Sequence, residues 1–360
     1  MDELDSLYAQ TEQSSDIPSE QINVDHREIR ALLKLDFEVF IDFFLGDKLD
    51  MKVPAFHKEI WRLLTNTALE RILLAIPRDH AKTTLSKLAV IWYWVYTPHR
   101  FCVYLSSTNA IAKGAAKDII EYLSNPNFIE IFGKVRMTKS SENESLWEFD
   151  LPLPGGGFKH CILRAMGQGQ QVRGLNIDNQ RPDIAVIDDV EDNEVVESKI
   201  QQKKLDLWMF GPFLKAMARR KKILWLGNML SKTSLLARLS TKKQWNPVVF
   251  GALVKNKLTG LLESLWPEKW SIEQLKENLQ EHRELGLIES WMCEMMNMPG
   301  HGENGFTVEQ FNYVAAPTPD DILAAWITID PAFGLKTHND ESAIAVHVLP
   351  KDGGVPITIT

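Results

Sequence analysis

Cysteine is scarce in this sequence: Cys102, Cys161 and Cys293 are the only three among 360 residues. They lie far apart and in no paired spacing, which excludes a disulfide framework and a cysteine-ligated zinc site and suits a reducing compartment. No window of about 18 uncharged apolar residues occurs, which excludes a membrane-spanning helix. Residues 1–25 hold no lysine or arginine, so a secretory signal, with its basic start and apolar run, is excluded too. No internal repeat is found.

What is present is the composition of a globular protein, 44% hydrophobic and 24% charged, enough to bury a sizeable core. The net charge of −8 is unevenly spread. Seven acids (Asp2, Glu3, Asp5, Glu12, Asp16, Glu20 and Asp25) crowd the first 25 residues, leaving −1 over residues 26–360. Between Lys199 and Lys243 there are twelve lysines and arginines against one acid, Asp206, which makes a local basic surface available on an acidic chain.

Residues 1–24 read as a flexible acidic tail. Apolar positions Ile29, Leu32, Leu33, Phe37, Phe40 and Ile41 predict one helix over residues 25–44, and a second is expected over 55–67. Strand and helix patterns then alternate. Strands are expected at 71–76, 101–106, 158–164, 184–187 and 223–226, and helices after the first at 109–123 and 194–209. This alternation predicts an α/β fold with a largely parallel central sheet. The predicted division is a domain over 25–262 with its N-terminal helices, a Trp-rich lid or linker over 263–319, and the first strands of another domain over 320–360.

The strand at 71–76 runs into Pro77, Arg78, Asp79, His80, Ala81, Lys82, Thr83 and Thr84, and an apolar helix follows. A Lys-Thr pair at a strand–helix junction is the end of a phosphate-binding loop. Backbone amides and the helix N-terminus cradle the phosphates, the lysine reaches the outer ones, and the hydroxyl binds Mg²⁺. Lys82 and Thr83 fit those roles, with Arg78 a second cation. The two glycines of the usual pattern are replaced by Ile76 and Ala81. Roughly 105 residues on, the apolar run at 183–187 ends in Asp188, Asp189, Val190 and Glu191. Carboxylates at the C-terminal edge of a parallel strand stand where such sheets bind ligands. Asp188 is expected to hold Mg²⁺, and either Asp189 or Glu191 to orient the attacking water.

In this order the motifs resemble those of the large terminase subunits of tailed bacteriophages. The run from Phe56 and His57 to Trp61 is similar to the segment those proteins carry near the adenine. The deviant phosphate loop at 77–84, GQGQQVRG at 167–174, RPDIAVIDD at 181–189 and LWLGN at 224–228 are similar to their successive motifs. WITIDPAFG at 326–334 and DESAIAV at 340–346 resemble the first hairpin of their nuclease domain.

The resemblance implies an additional-strand P-loop NTPase followed by the start of a ribonuclease H-like domain. It implies ATP and Mg²⁺ as cofactors, Asn228 as a sensor of the γ-phosphate, and Arg173 as an arginine acting across a subunit interface. Asp330 becomes a ligand of a nuclease Mg²⁺ or Mn²⁺, whose companion carboxylates are expected beyond residue 360. The implied partners are double-stranded DNA, a portal protein, a small terminase subunit and further copies in a ring, in the cytoplasm of an infected bacterium and not in the mature virion. Two alternatives stand beside it: another nucleic-acid ATPase such as a helicase, which explains the phosphate loop but not the Asp330 segment, or a non-catalytic DNA-binding assembly protein with a decayed loop, which the missing glycines suggest.

Overall fold

The computed structural model describes residues 25–300, 317–330, 343–351 and 357–359, apart from 50, 142, 173, 257 and 258. Its centre is an eight-stranded sheet. In chain order the strands are β1 (Arg71–Ala75), β2 (Phe101–Ser106), β3 (Arg136–Ser141), β4 (Leu146–Pro152), β5 (Phe158–Gly167), β6 (Ile184–Asp188), β7 (Lys222–Gly227) and β8 (Asn246–Val249). Their spatial order is β3-β4-β5-β2-β6-β7-β1-β8. The six from β5 to β8 run parallel, and β3 and β4 are added antiparallel at one edge. The hairpin β3–β4 was not foreseen. Strand β8 was not foreseen either; the other five lie where the α/β alternation places them, and β7 lies between β1 and β6, the arrangement expected of an additional-strand NTPase.

Burial on both faces explains why the central strands β1, β2, β6 and β7 read as nearly unbroken apolar runs. Alternate residues feed two separate cores. Ile72, Leu74, Tyr104, Val186, Leu224 and Leu226 pack under the helix Lys82–Tyr96 and the N-terminal helices. Leu73, Ala75, Val103, Ala185, Ile187 and Trp225 pack on the other face, where Leu205, Met209, Phe213 and Leu236 cover them.

Two expected helices are each broken by a capping residue. The helix expected at 25–44 is two, His26–Leu35 and Phe37–Leu45, because Asp36 adopts extended geometry and accepts the amides of Glu38 and Val39. Likewise Ser198 separates Asn193–Glu197 from Lys199–Trp208 by capping the second. A short side-chain acceptor offers the backbone a start signal that apolar periodicity does not register.

Beyond the sheet, β9 (Leu253–Lys255) and β10 (Leu262–Ser264) form a hairpin, so the boundary expected at 262/263 falls inside a strand. The helices Ile272–Glu284 and Ile288–Met296 close a small cluster of Ala252, Leu275, Trp291 and Met295. Further on, β11 (Ile322–Asp330), β12 (Ala343–Pro350) and β13 (Ile357–Ile359) form a three-stranded antiparallel sheet, with Asp330 at the end of β11 opposite Ala343. Among the described residues no helix is long and apolar enough to cross a membrane.

Candidate nucleotide site

The C-terminal ends of β6, β7 and β1 lie side by side, and each delivers one part of the site. From β1 the chain turns through residues 76–81 into the helix Lys82–Tyr96, whose first turn has no side-chain cap and no acid. Uncapped amides and the positive end of a four-turn helix make an anion site. Ala81 stands in the left-handed region at φ 61°, ψ 18°, and Asp79 also has positive φ. The missing glycine therefore does not prevent the turn. Alanine, the smallest chiral residue, accepts this geometry at a cost of about 1 kcal/mol. Ile76, at the other glycine position, is fully buried in the core under the loop.

Lys82 is 7% exposed; its ammonium donates to Asn228 Oδ1 at 2.6 Å and lies 3.7 Å from Asp189. Asp188 is buried. Tyr104 on β2 donates to its Oδ2 at 2.7 Å, and the nearby Thr83 hydroxyl also favours its charged form. Burial, then the charge of Asp189, pushes the Asp188 carboxyl up to about 6. Its Oδ1 is buried without a hydrogen-bond partner among the described residues. An orphaned carboxylate oxygen beside a threonine hydroxyl fits a hydrated Mg²⁺, the hard cation that carboxylate and hydroxyl oxygens suit.

The two rivals for water activation are separated by geometry. Asp189 is half exposed at positive φ and faces the lysine. Glu191 accepts the amides of Leu235 and Leu236, at 2.7 and 3.1 Å, and so adds a carboxylate to the start of the helix Leu235–Ser240, whose N-cap is Ser234. Both line a cavity of about 210 Å³ together with Arg78, Lys82, Asn228 and Glu294. Arg78 donates to Glu294 Oε2 at 2.8 Å, and this partner raises its pKa. Arg173 lies outside the described residues.

Sequence reasoning missed Glu294 and Asn297. Asn228 Nδ2 donates to the carbonyls of Ile76 and Glu294, at 3.0 and 2.8 Å. Asn297, buried and left-handed at the end of the helix Ile288–Met296, accepts the amide of Met229. An asparagine just past a helix reads as a helix stop, and nothing in its neighbourhood marks it as part of this site.

On the other side of the loop lies an apolar cavity of about 160 Å³, lined by Val53, His57, Ala81, Thr84, Leu85 and Trp266 among others. His57 packs edge-on against Trp266 at 4.8 Å and shares a hydrogen bond with the carbonyl of His80. His80 is itself buried, Asp79 is held by Lys269 at 2.7 Å, and Thr84 lies on the cavity wall.

Burial pushes the His57 imidazole down to about 4. Below pH 6.5 the unfolded chain binds a proton that the folded chain refuses, so this contribution is fully present above pH 6.5 and is lost as pH falls towards 4. At pH 5 the loss is about 2 kcal/mol. Thermal melts at pH 7 and pH 5 should therefore differ more in the wild type than in His57→Gln, and an equal difference overturns this assignment.

No family model matches the sequence, and no curated protein does. Solved structures do. The large terminase ATPase domain of Thermus phage P74-26, as a point mutant, superposes with a TM-score of 0.50 at 11% identity, over 72% of this chain and 97% of that one. A second structure of that domain gives 0.46 at 10% identity, over 71% and 95%. The large terminase of a thermophilic bacteriophage gives 0.42 at 8% identity, over 86% and 68%. At such identities the likeness is one of architecture, and the first superposition establishes it: this chain shares its fold with a large terminase ATPase domain.

Proposed function

We propose that this chain is the ATP-hydrolysing subunit of a viral DNA-packaging motor. The observation that carries the reading is the convergence of Lys82, Asn228, Asp188 and Asp189 at one sheet edge, between a polar cavity and an apolar one. In this reading the base lies in the apolar cavity against His57 and Trp266, and the phosphates lie on the amides at the start of the helix Lys82–Tyr96. Lys82 leaves Asn228 for the outer phosphates, and Arg78 offers a second cation to the same charge. Thr83 and Asp188 would hold Mg²⁺, which neutralises phosphate charge when bound. Asp189 orients the attacking water and accepts its proton. An arginine from a neighbouring copy, Arg173 by position in the sequence, completes the charge stabilisation.

Asn228 supplies the link from chemistry to movement. One side chain bonds Lys82, the end of β1 and the helix Ile288–Met296. Losing the lysine to a phosphate removes one of those bonds and biases the remaining two. Grip on DNA of arbitrary sequence must come from the phosphate backbone. In the basic segment, Lys203, Lys204, Arg219, Arg220, Lys242 and Lys243 are exposed. Lys222 is instead buried on the carbonyls of Asn66 and Leu69, and Arg238 is spent on Asp206, so these two belong to the fold. The portal protein, a small terminase subunit and a ring of copies are the partners of this reading, and Asp330 is a ligand of a nuclease metal.

Steady-state ATP hydrolysis by the chain, measured across protein concentration with and without linear duplex DNA, tests the proposal. Turnover per subunit is expected to rise with concentration and with DNA. Absence of both ATP binding and hydrolysis under all those conditions overturns it in favour of a decayed phosphate loop.

A further inference from the structure

At the opposite end of the sheet, away from the nucleotide site, a second group of chemistry-bearing side chains converges. His160 near the start of β5 pairs across the strands with Asp150 near the end of β4, and Glu148 lies two residues before Asp150. The third element is a tight turn in the connection from β5 to β6. Ile177 and Gln180 exchange both backbone hydrogen bonds, and Asp178 and Asn179 between them take positive φ of 47° and 59°. This turn presents Asp178, exposed, to the hairpin. One ligand atom each of Glu148, His160 and Asp178 lies within 4.8 Å of the other two.

The imidazole's hydrogen bonding makes this more than a group of acids. Nδ1 lies 3.1 Å from Asp150 Oδ1. A carboxylate only accepts, so Nδ1 carries the proton, and in the neutral ring Nε2 is left with a lone pair. That Nε2 is buried without a hydrogen-bond partner, and Glu148 Oε2 lies 3.4 Å away. Two electron-rich atoms face each other, and a cation belongs between them. The nearby cations use other atoms: Arg136 takes Asp150 Oδ2 at 3.2 Å, and Lys139 lies 3.9 Å from Glu148 Oε1. Tetrahedral bonds of 2.0–2.1 Å place neighbouring ligand atoms about 3.3 Å apart, close to the Nε2–Oε2 separation. A histidine whose far nitrogen donates to a carboxylate is the usual arrangement of a metal-ligating imidazole. A proton on Nε2 would satisfy Glu148 alone and leave the approach of Asp178 without a reason.

We propose that Glu148, His160 and Asp178 form a site for a divalent transition metal of the zinc class, completed by water. A nitrogen ligand favours zinc, cobalt or nickel over magnesium and calcium. The bound metal pins the turn at 177–180 to the edge hairpin, and so braces the connection that enters β6 and ends at Asp188. The site is independent of the ATPase reading.

The test is a Co²⁺ titration of the nucleotide-free chain in excess Mg²⁺, followed by visible d–d absorption, with Zn²⁺ displacement and thermal melts in parallel. One equivalent is expected to bind without thiolate charge-transfer bands, and Zn²⁺ to raise the melting temperature by several degrees. Asp178→Asn and His160→Gln should each abolish both signals. Asp178 is exposed on its turn, and asparagine tolerates positive φ, so its variant should keep the metal-free melting temperature. Binding that survives in either variant, or thiolate bands, places the metal elsewhere and overturns the proposal. A wild type that binds no metal also overturns it, leaving His160 as a doubly protonated clasp between Glu148 and Asp150.

Discussion

Lys82→Ala is expected to lower ATP turnover by about 10²–10³-fold or more, the loss that follows removal of one preorganised donor to developing charge. Lys82 is nearly buried, and its present partners are Asn228 and Asp189. Truncation leaves Asn228 Oδ1 without its donor, a cost of about 1–3 kcal/mol if no water replaces it. Nδ2 of the same side chain keeps its bonds to Ile76 and Glu294, so the strand ends should stay in place. Turnover and nucleotide affinity should therefore fall far more than the melting temperature. Single-turnover hydrolysis, equilibrium nucleotide binding and thermal melts on the same preparation separate the two. Retention of more than a tenth of wild-type turnover overturns the assignment of Lys82 to the phosphates.

The outline of this site was legible because its chemistry depends on main-chain geometry that sequence records well. A lysine–threonine pair between an apolar strand and an apolar helix, and acids ending a second apolar strand, are both local patterns. Parallel packing brings their ends to the same edge whatever the loops do. The absent glycines were a weaker obstacle than a motif pattern suggests, since Ala81 takes the left-handed turn and Ile76 belongs to the core.

What was not legible depends on contacts distant in sequence. Glu294 reaches Arg78 across 216 positions, and Asn297 reaches Met229 across 68. Neither sits in a run whose periodicity or composition differs from any other helix end. Tyr104 is one residue of the buried six-residue strand β2, and only the neighbouring position of β6 reveals that its hydroxyl meets Asp188. The breaks at Asp36 and Ser198 were local, yet apolar spacing continued through them and masked the caps. Strand β3 escaped for a related reason. Arg136–Ser141 carries polar and charged residues and is exposed nearly throughout, so it offers no buried face to read.

The choice between Asp189 and Glu191 turns on what each carboxylate already does. Glu191 binds two amides at the start of a helix, where a negative charge also meets the positive end of the helix dipole. Asp189 holds no comparable anchor: its side chain is 52% exposed and faces Lys82 at the mouth of the polar cavity. Asp189→Asn is therefore expected to lower kcat by about 10²–10⁴-fold, the range for loss of a general base, with little change in nucleotide affinity. Asparagine suits this position because it tolerates the positive φ of 41° that alanine resists. Glu191→Gln should keep turnover within a few-fold of wild type and instead lower stability by about 1–2 kcal/mol, since a neutral amide loses the charge and cannot accept from both N–H groups as well. Rapid-quench kinetics and denaturant melts on the two variants give four numbers, and the crossed pattern is the prediction. If Glu191→Gln abolishes chemistry while its stability is unchanged, the bonds of Glu191 to the two amides must open during turnover, and the water-positioning role passes from Asp189 to Glu191.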